Sequence, residues 1–365
     1  MRVLVVSNPR ATSTTVRQRD VLVHALAADA KLEVEETANR GHAAALACRA
    51  MRDGVDVVVA LGGDGTVNEV VNGLLTDGVH PGVPALGIVP GGSNNVFARA
   101  LGLPNDPVEA TSVLIDAMAT GRSRRIGLGM ADERWFLFTA GFGYDAAVVA
   151  AVEAHRRRGR TSTHSLYVRT AVRTFFGEDR RHPRISLELP DGSSVDDLYM
   201  ALVNNCDPWT FLGNRPVSPT PQASFDAGLD VYARTRMGVA GILWSASRMV
   251  KARPPTGPGD LRPAELAELA EHSDLEVPVE LAEPAEPTTP GASLPRRLLD
   301  RALPKRADTV SKPTRPGFGA RVEHDLREFA LRSSEPSPFQ VDGDSLDDRE
   351  YVRFRGVPNA LEVFI

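Results

Sequence analysis

The run LGGDGTVNEVVNGLL, from Leu61 to Leu75, constrains the fold of this chain more than any other stretch. Gly62, Gly63, Asp64 and Gly65 separate an apolar run from a helical pattern in which Val67, Val70, Val71, Leu74 and Leu75 recur at i, i+3, i+4, i+7 and i+8. A helix is therefore expected just after the glycines, with Thr66 as its N-cap and Thr66-x-x-Glu69 at capping-box spacing. Capping does not account for Gly62, Gly63 and Gly65, which cost backbone entropy unless something must approach the main chain closely. Phosphate meets that requirement, because free amides at a helix N-terminus attract anions. Asp64 would repel a bare phosphate, and a magnesium ion bridging the two removes the conflict.

The surrounding pattern says what carries this turn. RVLVV, KLEVEET, VDVVVAL and PALGIV are short β-branched runs, with helix-like stretches from Val16 to Ala30 and from His42 to Arg52 between the first three. Such alternation predicts an α/β domain built on an open, mostly parallel sheet. Ligands of these sheets bind beyond the carboxyl ends of the strands, where SNPRATSTT, GGDGT and PGGSNN would meet. After about Arg124 the pattern changes to alternating strands and tight turns, as in RWFLFTAGFG, RISLELPDG, LYMALVNN, GLDVYAR and YVRFRGV. A second, mainly antiparallel, β-sandwich-like domain is expected.

The boundaries read as follows: a nucleotide-binding domain over 1–124, a β-rich substrate domain over 125–251 and 320–350, and C-terminal strands over 351–365 that return to the first domain. Residues 252–319 are dense in proline, alanine and charge and read as a disordered or weakly helical insertion. With 365 residues, 42% of them hydrophobic, the chain can fill two cores. A formal charge of −5 gives no global field for nucleic acid. Cys48 and Cys206 stand alone, which points to a reducing, cytoplasmic setting. RVLVV is too short for a signal segment and Met237 to Val250 too short to span a bilayer, so membrane contact is expected to be peripheral.

Neither the Gly-x-x-x-x-Gly-Lys-Ser/Thr loop nor a Gly-x-Gly-x-x-Gly turn after the first strand is present. Instead GGDGTVNEVVNGL, NPR after the first strand and PGGSNNVFARALGLP after the fourth resemble the diacylglycerol kinase catalytic family, which includes bacterial lipid kinases and sphingosine and ceramide kinases. The resemblance continues in family order through GFGYDAAVV, SFDAGLDV and FQVDGD. Gly-Gly-Asp-Gly-Thr alone is shared with NAD kinases and phosphofructokinases, whose fold the first domain would share. The extended run together with VDGD is far more specific.

The resemblance implies that Asn8, Pro9, Thr37, Gly62, Gly63, Asp64, Gly65, Thr66, Asn68, Glu69 and Ser93 hold ATP, with Ser93 where the family usually has threonine. It implies that Asp342 is the general base toward a lipid hydroxyl, and that Asp64 serves both catalysis and magnesium. Asp344, one methylene shorter than the family's glutamate, would help with the metal. SFDAGLDV would supply a structural magnesium through Asp226 or Asp230. Asn94 and Asn95 would contact substrate, although Asn95 replaces the family's usual aspartate and cannot be an anionic ligand.

If extended, Asp342 and Asp344 would share a face about 6–7 Å apart and repel by about 2–3 kcal/mol, which calls for a cation or a held proton. An Asp-Gly pair is equally a hairpin signal. The basic stretch from His155 to Arg184 could meet anionic lipid, and Trp209, Phe211 and Leu212 could enter lipid, line an acyl cleft or pack in a core. His24, His42 and His164 suggest no role. The expectation is an ATP-dependent lipid kinase phosphorylating diacylglycerol or a related lipid at a membrane surface, with Mg²⁺. An NAD kinase-like enzyme acting on a soluble hydroxyl and a catalytically silent binding protein stay open, as does a homo-oligomer.

Overall fold

A computed structural model describes residues 1–9, 23, 31–157, 169–171, 173–174, 183–238, 249–250 and 319–365. The helix expected over Val16 to Ala30, much of the basic stretch and, apart from Gly319, the insertion lie outside the described residues.

The first part of the chain alternates as its sequence pattern requires: β1 (Arg2–Ser7), β2 (Lys31–Glu36), α1 (His42–Arg52), β3 (Val57–Gly62), α2 (Asp64–Leu74), β4 (Ala85–Pro90), α3 (Val96–Ala100) and α4 (Pro107–Thr120). β1 pairs in parallel with both β2 and β3, and β3 pairs in parallel with β4. β1 and β3 are buried along nearly their whole length, which explains their continuous apolar character. Leu46, Val70, Val71, Leu74 and Phe97 pack onto one face of this sheet, while Leu114 and Ala117 of α4 pack onto the other. α1 and α2 touch where a Cβ on Gly73 would lie 2.2 Å from the Ala44 carbonyl oxygen, so only glycine permits the crossing.

The second part contains β5 (Ser123–Ala131), β6 (Arg134–Phe136), β7 (Thr139–Gly143), α5 (Tyr144–Arg157), β8 (Ile185–Glu188), β9 (Ser194–Leu198), β10 (Met200–Asn204), β11 (Thr210–Leu212), β12 (Arg215–Val217), β13 (Leu229–Arg234), β14 (Ala320–Leu326), β15 (Glu328–Val341) and β16 (Asp344–Phe364). Its pairings are antiparallel, and Phe142, Phe329, Phe339 and Phe354 fill its core with edge-on and stacked ring contacts. β16 joins the two parts. It pairs with β15 and β5 for most of its course, and at its end Val363 pairs in parallel with Leu86 of β4. Among the described residues no helix is long and apolar enough to cross a membrane.

α2 begins earlier than expected. Gly63, extended at φ −84° and ψ −179°, is the N-cap, and Thr66 sits inside the first turn. α4 and α5 were not anticipated. α4 starts at an Asp106 cap whose side chain accepts from the Val108 and Glu109 amides, and it stops at Gly121 with φ 70°.

Candidate active site

The carboxyl ends of the parallel strands form one polar edge. Asn8 N–H donates to the Leu61 carbonyl at 3.0 Å, Thr37 N–H to Ser7 at 2.9 Å and Gly91 N–H to Gly62 at 2.8 Å, so the loops after β1, β2, β3 and β4 are laced together. Asn8 Nδ2 donates to Thr66 Oγ1 at 3.1 Å. Pro9 and Ser93 are exposed on this edge, and a Cβ placed on Gly65 would meet open space. Gly63 and Gly92 touch backbone to backbone, because a Cβ on Gly92 would stand 2.7 Å from Gly63 Cα. At the start of α2 the Thr66 and Val67 amides donate to the Gly63 carbonyl at 2.9 and 3.2 Å, so an anion at this helix start would meet the amides that precede Thr66.

Asp64 and Glu69 take different partners from those the local sequence suggests. The Asp64 oxygens accept from the Val96 and Phe97 amides at 3.0 and 3.1 Å, so this carboxylate caps α3. Burial pushes its pKa up, against the amides and Arg99, which pull it down. Asn95, at the N-cap position of α3 with φ 48°, makes no side-chain cap and folds back, accepting from Gly92 N–H at 2.8 Å and donating to Gly92 O and Asn105 Oδ1, both at 2.9 Å. Glu69 does not close a capping box on its own helix. It accepts from the Gly41 and Ala43 amides at 2.9 and 3.3 Å and thereby caps α1. Glu69→Ala is expected to cost about 1–2 kcal/mol, measured by urea unfolding, through loosening of α1.

The second motif folds as a hairpin turn. Asp342 and Gly343 have φ 49° and 81° between the paired residues Val341 and Asp344, the left-handed pair of a two-residue turn. The two aspartates therefore do not lie side by side on an extended strand. Asp342 turns inward and is 7% exposed. Its Oδ2 accepts from Leu137 N–H and Asn68 Nδ2, both at 2.7 Å, and its Oδ1 accepts from the Phe138 and Thr139 amides at 3.0 and 3.1 Å. Four donors hold both oxygens of this carboxylate in place. Burial pushes its pKa to about 6, with the amides and Asn68 working the other way.

Asp344 turns outward, with Arg40 Nη2 at 3.0 Å and Arg134 Nη2 at 3.6 Å from its Oδ2. Arg40 also reaches Glu153 at 3.5 Å. Among the described residues no three acidic, histidine or cysteine side chains converge as a ready-made cation cage. That donor set still suits magnesium bound with nucleotide, since Mg²⁺ takes one or two carboxylates and completes its shell with phosphate oxygens and water. Asp344, at 26% side-chain exposure, is the less buried of the two hairpin carboxylates.

Behind the turn, Gln340 donates from Nε2 to Asp145 Oδ2 at 2.9 Å and accepts from Gly343 N–H at 2.9 Å. Asp145, at the start of α5, is buried, and burial pushes its pKa to about 6 while Gln340 pulls it down. A folded-state pKa above the unfolded value means that this group's stabilising contribution is full below about pH 4 and is lost as pH rises through about 6. Asp145→Asn should therefore raise stability at pH 7.5 by about 2–3 kcal/mol and flatten the dependence of Tm between pH 4 and 7.

The remaining candidates sit elsewhere. Asp226 is exposed and pairs with Arg124 at 2.6 Å, whereas Asp230 is 3% exposed and holds His324 Nδ1 at 2.8 Å and the Asp325 amide at 3.0 Å. A cation through Asp226 or Asp230 would have to replace those partners. Phe211 is buried beneath Arg99, whose guanidinium lies 3.4 Å from the ring centroid, and Asn94 Nδ2 donates to Thr210 Oγ1 at 2.9 Å. The β11–β12 hairpin thus grips the PGGSNN loop, and Phe211 is core rather than lipid-facing. Trp209 packs in part against Met200, Leu202 and Tyr232. His42 Nδ1 accepts from Ala38 N–H at 3.0 Å and shapes the entry to α1. Arg134, Asn72 and Gln340 carry no local spacing signal; only the fold brings them to the cleft.

An α/β sheet with phosphate-type turns at its carboxyl edge, joined through β16 to an antiparallel part that contributes an acidic hairpin, is the fold of solved structures described as diacylglycerol kinases. A crystal structure described as a diacylglycerol kinase from Bacillus anthracis str. Sterne superposes with a TM-score of 0.61 at 17% identity, covering 100% of this chain and 96% of that one. Residues 2–131 match the family model described as the diacylglycerol kinase catalytic domain. Diacylglycerol kinases of Staphylococcus aureus strains JH9 and Newman are each 35% identical over 144 residues, which is 39% of this chain and 44% of theirs. The match thus spans less than half of those relatives' length.

Proposed function

We propose that this protein transfers the γ-phosphoryl group of Mg·ATP to the hydroxyl of diacylglycerol or a related lipid presented at a membrane surface. One observation carries the reading: Asn68, in the GGDGTVNEV helix, donates to Asp342, in the FQVDGD turn, at 2.7 Å. The two most diagnostic runs of the sequence, far apart in the chain, meet in one hydrogen bond.

Phosphoryl transfer of this kind depends mainly on positioning and on neutralising charge at the oxygens. The laced loops holding Asn8, Thr37, Gly62–Thr66 and Ser93 would seat the nucleotide, with the α2 amides at its phosphates. Asp64 would act by fixing the PGGSNN loop against α2. Magnesium, when bound, would neutralise phosphate charge, with Asp344 as its protein ligand. Asp342 is the proposed base. Three of its donors are backbone amides; Asn68 is a side chain, so the lipid hydroxyl would approach Oδ2 beside Asn68, whose N–H holds that oxygen in place. As the O–P bond forms, the hydroxyl proton passes to Asp342 Oδ2 and the β–γ bridging oxygen leaves with ADP.

The deciding experiment offers γ-labelled ATP with Mg²⁺ to mixed micelles of diacylglycerol, monoacylglycerol, ceramide or sphingosine, with NAD and a lipid-free control alongside. Labelled phosphatidic acid is expected. Label in NADP alone would move the enzyme to a soluble substrate, and intact ATP binding without any product would point to a silent binder.

A further inference from the structure

Arg134 lies outside every recognised motif, yet it stands where the two diagnostic motifs meet. From β6 its Nη2 donates to Asn68 Oδ1 at 2.9 Å and lies 3.6 Å from Asp344 Oδ2. Asn68 Oδ1 also accepts from Asn72 Nδ2 at 3.2 Å, so the amide nitrogen is the end that faces Asp342 Oδ2 at 2.7 Å and Trp135 O at 3.2 Å. A cation thus sits at the carbonyl end of this amide and a carboxylate at its N–H end, an arrangement in which each hydrogen bond strengthens the other.

The platform beneath Arg134 is rigid. Trp135 N–H donates to Asn72 Oδ1 at 3.0 Å and Trp135 O accepts from Asn72 Nδ2 at 3.0 Å, fastening β6 directly to α2. Arg134 Nε is buried without an acceptor among the described residues. A buried N–H left unpaired is destabilising. The side chain nevertheless keeps the orientation that serves Asn68 and Asp344, a local cost of the sort that collects at functional sites.

We propose that Arg134 is a positioning residue of the phosphoryl-transfer site, holding the Asn68 amide toward Asp342 while flanking Asp344, so that one guanidinium sets both acidic ends of the turn. The proposal rests on the lipid kinase reading for its consequence in turnover, but its geometry can be tested separately. Both contacts are made by Nη2, and lysine can supply the charge there but not the planar guanidinium that fixes the nitrogen's direction.

The test combines kinetics with an amide probe. Arg134→Gln should lower kcat for lipid phosphorylation by about 10- to 100-fold with the KM for ATP little changed, and Arg134→Lys should recover part of the loss. In an Asn68→Leu background, Arg134→Gln should cost less than in the wild type, because only the contact to Asp344 remains to be lost. With ¹⁵N-asparagine labelling and the Asn68 side-chain pair assigned by Asn68→Gln, that pair should shift in Arg134→Gln. A kcat within about twofold of wild type, fully additive losses, or an unmoved Asn68 pair would each overturn the proposal. If the wild-type protein phosphorylates no lipid, the kinase reading fails by itself, and the amide resonances alone decide whether Arg134 positions Asn68.

Discussion

Asp342→Asn will remove most lipid phosphorylation, by about 10²- to 10⁴-fold in kcat, while leaving ATP binding in place. The loops that seat nucleotide are held by Asn8, Asp64, Gly92 and the strand ends, and none of those bonds includes Asp342. The carboxylate itself accepts from three consecutive amides and from Asn68. A carboxamide offers one oxygen, and its NH₂ would face donors, leaving at least two of the four without an acceptor. A loss of about 2–4 kcal/mol in stability is therefore expected alongside the catalytic loss. Kinetics, ATP titration and urea unfolding on the same variant separate the two effects. Turnover above about a tenth of wild type would remove Asp342 from the role of base.

Gly92→Ala is expected to have the second-largest effect, on nucleotide rather than lipid. The added Cβ would stand 2.7 Å from Gly63 Cα and 2.9 Å from Asn95 Oδ1. The first of these is backbone and has no rotamer to yield, so the β3–α2 and β4–α3 loops must part. Parting them pulls Val96 and Phe97 away from Asp64 and breaks the bond between Gly91 and Gly62. ATP affinity should fall more than about 10-fold and Tm by about 2–4 °C. Calorimetric titration with ATP and a thermal melt would show both. Unchanged affinity would mean that nucleotide does not depend on the contact between these loops.

Much of this protein was legible in its residues, for identifiable reasons. Helical periodicity marked His42 to Arg52 and the Val67 to Leu75 stripe, because one buried face is written at fixed spacing. The buried parallel strands announced themselves as continuous β-branched runs. Gly62, Gly63 and Gly65 pointed to a close approach, and part of that approach proved to be the backbone of Gly92. The resemblance over residues 2–131 was carried by such local runs, and α4 and α5 were missed because weak periodicity was overshadowed by strand-like stretches on either side.

Partnership across the chain could not be read in that way. Local spacing put Glu69 in a capping box on its own helix, and the fold made it the cap of α1; nothing local marked Asp64 as the carboxylate that caps α3. A carboxylate goes to whichever unpaired amides lie nearest in space, and those amides belong to elements placed by packing. Asp342 and Asp344 look interchangeable in VDGD, yet a left-handed turn buries one among four donors and turns the other toward two arginines. The sequence by itself determined the elements, the phosphate-type turns and the acidic hairpin, since each is encoded within a dozen or so neighbouring residues. Only the tertiary structure decided which donor meets which acceptor, because β16 and the crossing of α1 and α2 bring together residues that no local pattern connects.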